Sequence, residues 1–111
     1  MYAEADIIKL CANLTDTRLD RWVQEGWITP KSEEAQDVYN DLDVGRADLI
    51  CYLLDELDIQ DDAIPVILSL LDQVYSLRGE LKSVGLAIRD QPKEVRTQIS
   101  VTIQNYKKRT P

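Results

Sequence analysis

Apolar side chains recur at helical spacing in five stretches of this chain, separated by short polar or proline-marked breaks. From Ala5 to Ala12, the residues Ile7, Ile8, Leu10 and Cys11 fall close enough in angle to form one stripe, which predicts a short helix broken at Asn13-Leu14. Thr15 is a good N-cap for a second helix in which Leu19, Trp22 and Val23 repeat at i, i+3, i+4, and Gly26 can take the left-handed conformation that closes it. Trp27-Ile28 reads as an extended segment stopped by Pro30. Residues 31–36 are polar and unpatterned, and Asp37-Val38-Tyr39 can return as a second short strand, so a small two-stranded wing is expected here.

Asn40 to Asp43 offer several N-caps for a third helix, with Ala47, Ile50, Cys51, Leu54 and Leu57 on one stripe, and Asp58 to Gln60 is the connector that follows. The longest helix starts near Asp61 or Asp62, either of which can cap it, and Pro65 falls in its first turn, where a missing N–H costs little. Ile67, Leu70, Val74, Leu77, Leu81, Val84 and Ile88 are then spaced alternately by three and four, an unbroken a/d heptad seam. A second stripe of Ile64, Leu68, Leu71 and Tyr75 covers only the N-terminal half of the same helix.

Two faces need two partners. The paired stripes are expected to pack on the N-terminal module. The single seam at Val74, Leu77, Leu81, Val84 and Ile88 is expected to be covered by a second copy of the chain; a last helix folding back over it is the other solution. Arg89-Asp90-Gln91 breaks the long helix, and Pro92 suits the first position of a final helix striped by Val95, Ile99, Ile103 and Tyr106. Lys107-Lys108-Arg109 sits at the end of that helix, where the dipole is negative.

The organisation is therefore mainly α, with residues 1–60 forming a winged module, and residues 61–111 a long dimerisation helix plus a basic C-terminal helix, all in one folding unit. A chain of 111 residues is too short for two independent cores. No run approaches the roughly 18 apolar residues a membrane span needs, and the acidic start Met-Tyr-Ala-Glu-Ala-Asp is unlike a secretory signal, so a cytoplasmic protein without membrane contact is expected.

Charge changes the picture more than composition does. Residues 1–50 hold 5 Lys and Arg against 11 Asp and Glu, and residues 51–80 hold 1 against 7, whereas residues 81–111 hold 7 against 2. An acidic body thus ends in a basic helix. The chain contains no histidine, which removes the usual general base, and no catalytic residue is expected. Cys11 and Cys51 lie at apolar helix positions without metal-ligand spacing, so both read as buried thiols. Asp61-Asp62 and Asp41-Leu42-Asp43 are paired carboxylates at helix starts, where capping explains them without a metal, and no cofactor is implied. Trp22 and Trp27 read as core residues rather than stacking platforms.

Short helix, turn, capped second helix ending in Gly-Trp-Ile, wing, helix, long heptad helix: over residues 5 to 88 this order resembles the MerR-like winged helix-turn-helix proteins. The stretches Arg46-Ala47-Asp48-Leu49-Ile50 through Asp55-Glu56-Leu57, and Ile64-Pro65-Val66-Ile67-Leu68 on to Tyr75-Ser76-Leu77-Arg78, look like those of the CbpM-type chaperone modulators. That resemblance implies a non-enzymatic protein that binds the J-domain of a DnaJ-like, CbpA-type co-chaperone and restrains its delivery of substrate to the Hsp70 DnaK. J-domains recruit Hsp70 through a basic helix, so a competitor should be acidic. The partner-binding candidates are the acids around the junction of the third and fourth helices: Asp55, Glu56, Asp58, Asp61, Asp62 and Asp72.

The alternative is a dimeric MerR-like transcription regulator reading DNA with Arg18 and Arg21 and gripping phosphate with Lys31 and the tail. Against those three cations on the reading helix and wing stand Asp16, Asp20, Glu25, Glu33, Glu34 and Asp37. A surface that must neutralise phosphates cannot carry that excess of carboxylates, so nucleic acid is the less favoured partner.

Overall fold

The computed structural model describes residues 1–109. In order they form α1 (Glu4–Leu10), α2 (Asp16–Gln24), β1 (Lys31–Glu33), β2 (Gln36–Val38), α3 (Asp41–Asp55), a 3-10 turn (Asp61–Ala63), α4 (Ile64–Arg89) and α5 (Lys93–Arg109). The mainly helical winged helix-turn-helix order is thus present. Two compact units divide it, residues 1–69 and residues 70 onward.

Two helices of the first unit, α2 and α3, start where a side chain satisfies a free N–H group, whereas Ala3 before α1 offers none. Thr15 Oγ1 accepts from the Arg18 amide at 3.2 Å, and Asn40 and Asp43 cap α3 reciprocally, both hydrogen bonds being 2.9 Å. One core results, to which α1 gives Ile7, α2 gives Leu19 and Trp22, α3 gives Ala47, Ile50, Cys51 and Leu53, and the first turns of α4 give Ile64 and Leu68. On α3 the inward stripe departs from the expected one: Leu53 is buried, Leu54 packs only partly and Leu57, beyond the last turn, is half exposed. Tyr75 is exposed as well, so the second stripe of α4 ends with Leu68 and the half-buried Leu71.

The first strand of the wing begins four residues later than the pattern suggests, and the second one residue earlier. Trp27 and Ile28 form no strand; their amides both point at the carbonyl of Trp22, at 2.8 and 3.3 Å, and their side chains seal the core. Gly26, at φ 78°, makes that helix closure possible. The polar residues after Pro30 pair instead, with Lys31 opposite Val38, Ser32 opposite Asp37 and Glu33 opposite Gln36. Glu34 and Ala35, at φ 48° and 64°, form the tight turn between them. Tyr2 and Tyr39 exchange backbone hydrogen bonds of 2.7 Å, tying the N-terminus to the wing's exit.

In the second unit α4 runs on from Leu70 and α5 follows after a break. The Asp90 and Gln91 amides still bond back to Leu86 and Ile88, and Pro92 is the residue before α5 rather than its first. Leu70, Val74, Leu77, Leu81 and Val84 remain between 43% and 71% exposed, Ile88 is half-buried, and no described residue of α5 is buried. A helix folded back along α4 would cover this seam; α5 does not.

Candidate functional site

The second helix of a helix-turn-helix is the one that meets a partner, so the site is built outward from α2. Leu19 and Trp22 anchor it in the core, which leaves Asp16, Thr17, Asp20 and Gln24 facing outward. Its two arginines turn away from that face. Arg18 places its guanidinium over the Trp22 ring, 5.7 Å from the centroid, and grips Asp55 at the end of α3 with two hydrogen bonds of 2.8 and 2.6 Å. A third, to the Asn13 carbonyl, is 3.2 Å. Hydrogen bonding to Arg18 holds the Asp55 carboxyl below its ordinary value, and Asp55 raises the arginine correspondingly.

Arg21 repeats the arrangement one turn on: it lies over the Trp27 ring at 5.8 Å and pairs with Asp61 of the 3-10 turn. Trp22 and Trp27 are themselves in tilted contact, with ring centres 6.3 Å apart. Two indoles and two carboxylates therefore hold both cations of the reading helix.

What α2 offers outward is a cleft of about 790 Å3 between the start of α1, the outer face of α2 and the wing, lined by Ala3, Glu4, Ala5, Asp16, Asp20, Ala35, Gln36 and Asp37. Four carboxylates from three elements surround it. Their crowding is felt by Glu4, whose pKa is raised by partial burial and then by Asp20, Asp16 and Asp37. Among the described residues no group of three or more Asp, Glu, Cys or His side chains is placed to hold a metal ion. The arrangement suits a spread positive surface.

The expected partner-binding acids separate into three situations. Asp55 and Asp61 are engaged by Arg18 and Arg21. Glu56, Asp58 and Asp62 are exposed at the end of α3, in the connector and in the 3-10 turn. Asp72 is exposed on α4 and belongs to the second unit. The expected interface residues Val74, Leu77, Leu81 and Val84 form an exposed row on α4, with Ile88 half-buried at its end. Glu4 is the member of the cleft that the pattern left out; its spacing from Asp16, Asp20 and Asp37 gives no local signal, because the packing of α1 on α2 brings them together.

Of the carboxylates expected as caps, Asp43 caps α3 and Asp41 instead accepts from the Tyr2 hydroxyl at 2.7 Å. Asp61 and Asp62 do not cap the long helix, because both lie inside the 3-10 turn, whose N-cap is Gln60 without a side-chain hydrogen bond, and Asp61 is taken by Arg21. Both thiols are buried. Burial, followed by Asp48, pushes Cys11 up to about 12, and burial raises Cys51 despite the neighbouring Arg18.

A family model described as MerR HTH family regulatory protein matches residues 5–85, from α1 into the second half of α4. No curated protein and no solved structure matches the chain.

Proposed function

The chain belongs to the MerR HTH family of regulatory proteins, and from that premise we propose that it is a non-enzymatic chaperone modulator, whose winged helix-turn-helix module binds a basic protein surface in place of DNA. The observation that carries this reading is the fate of the two reading-helix arginines. With Arg18 held by Asp55 and Arg21 by Asp61, the face between α2 and the wing is left to Glu4, Asp16, Asp20 and Asp37. Phosphates release no counterions from such a face and are repelled by it. A lysine- and arginine-bearing helix is attracted to it, with the long-range field speeding encounter more than it deepens affinity.

The J-domain of a DnaJ-like co-chaperone, which the resemblance to CbpM-type modulators implies, presents a basic helix of that kind. Binding there blocks the co-chaperone's approach to Hsp70. Of the acids first considered, Glu56, Asp58 and Asp62 remain exposed to contribute, while Asp55 and Asp61 act by fixing the arginines. The exposed α4 seam supports a homodimer, in which Val74, Leu77, Leu81, Val84 and Ile88 meet their counterparts in a second copy.

The test is a side-by-side titration of the full chain with a J-domain and with random-sequence duplex DNA. Saturable binding to the J-domain is expected, with an association rate that falls as salt rises, and with Asp16→Lys plus Asp20→Lys slowing association about tenfold or more. Retention of duplex at about 150 mM salt, near physiological ionic strength, together with an inert J-domain, would reverse the assignment to a DNA-binding regulator.

A further inference from the structure

The first unit and the helices beyond it carry opposite charge. Residues 1–69 hold 5 Lys and Arg against 16 Asp and Glu, and residues 70–111 hold 8 against 4. Most of that reversal belongs to α5, where Lys93, Arg96, Lys107, Lys108 and Arg109 face a single acid, Glu94. The same helix carries the stripe Val95, Ile99, Ile103 and Tyr106, and none of its described residues is buried. Arg96 and Lys107 each follow a stripe residue by one position, so cations border the apolar row. A 17-residue helix with a row of unburied aliphatic side chains is marginal alone in water and needs a cover.

Its own unit does not supply the cover, since the α4 seam and the α5 stripe both remain open. A matching surface exists at the end of α3. There Tyr52, Leu57 and Val66 are 52%, 50% and 59% exposed, and the acids Glu56, Asp58 and Asp62 lie among them in sequence. Tyr52 and Glu56, four apart on α3, are neighbours on one face, as Asp62 and Val66 are by the same spacing across the start of α4.

We infer that α5 is an arm that docks on a second copy of the chain, laying its stripe against Tyr52, Leu57 and Val66 of that copy with Arg96 and Lys107 opposite Glu56 and Asp62. Charge complementarity selects this occupant. Pairing α5 with another α5 stacks like charges, and the seam-bearing part of α4 carries Arg78, Lys82 and Arg89 against only Asp72 and Glu80. The acidic unit of a mate already held at the α4 seam is the oppositely charged surface at hand. The inference rests on the dimer and is independent of which protein the wing cleft binds.

A charge exchange in the full chain tests it, read as molar mass by light scattering and sedimentation across a concentration series at low salt. Arg96→Glu with Lys107→Glu should weaken the dimer on the order of tenfold, and so should Glu56→Lys with Asp62→Lys. All four together should return the dissociation constant to within about threefold of the unsubstituted chain, because the pairs are restored with their signs exchanged. All four charges concerned lie on exposed side chains, so the variants keep the buried core. A dimer indifferent to either pair, a fourfold variant no better than the double variants, an unsubstituted chain that stays monomeric, or altered thermal melting with unaltered mass, which marks docking within one chain, would each overturn the inference.

Discussion

Arg18 and Glu4 show how one helix face can be stripped of cations and loaded with carboxylates, and the two sites respond to pH with opposite sign. The folded pKa of Asp55 is depressed below its ordinary value of 3.8, chiefly by its hydrogen bonds to Arg18. Its contribution is therefore present above the unfolded pKa and is lost as pH falls through the folded value. Glu4 is raised above its ordinary 4.5 by burial and by Asp20, Asp16 and Asp37, so its contribution is complete below 4.5 and disappears as pH rises through the folded value. Urea unfolding at a series of pH values should show Asp55→Asn losing stability near neutrality while becoming less sensitive to acid. Glu4→Gln should gain stability near neutrality. The reverse order would mean that the pair and the cleft do not hold in solution.

The thiols make a second check at the same scale. With Cys11 at about 12 and Cys51 raised by burial, a thiol-specific reagent at neutral pH should leave the folded chain untouched and label both residues once denaturant is added. Rapid labelling of the native chain would contradict the burial of α1 against α3.

Among the elements, the wing is where local preference and tertiary demand diverge. Glu34 and Ala35 occupy left-handed backbone that favours Asn and Gly. The hairpin persists because Tyr39 is buried and tied to Tyr2, which fixes where β2 must leave. Replacing Ala35 by Gly removes that strain at some entropic cost, and a gain of about 0.5 kcal/mol in unfolding free energy is expected by thermal or urea denaturation. A loss would show that the turn is unstrained in solution.

The same element marks the limit of what the amino-acid pattern discloses. Helix caps at Thr15 and Asn40, the closure at Gly26, the stripes of α2 and the order of helices are legible because each depends on neighbours within a turn or two. β1 is not, since Lys31-Ser32-Glu33 has neither alternation nor β-branched residues, and aromatic Trp27 with Ile28 mimics a strand while serving the core. The acid count around α2 is visible as composition. That its arginines are captured by Asp55 and Asp61, and that Glu4 joins the cleft, depend on residues 37, 40 and at least 12 positions apart brought together by packing.

For the whole molecule, the decisive asymmetry is that, among the described residues, both tryptophans and every buried side chain belong to residues 1–69, while the α4 seam beyond carries apolar side chains that are largely exposed. Folding of the first unit and the proposed association through the seam are thus expected to be separable, with Trp22 and Trp27 reporting on the first. Leu77→Asp with Leu81→Asp puts two charges at seam positions whose desolvation no partner group compensates. The mass measured by light scattering should fall to that of one chain. Because the tryptophans belong to the core of the first unit and the two leucines to the second, their emission should stay that of buried indole and the urea midpoint of the fluorescence transition should be independent of protein concentration. A mass that remains dimeric would move the interface away from Val74, Leu77, Leu81, Val84 and Ile88. A red-shifted emission would instead tie the seam to the stability of the winged module, because only loss of the core around Trp22 exposes that ring to water.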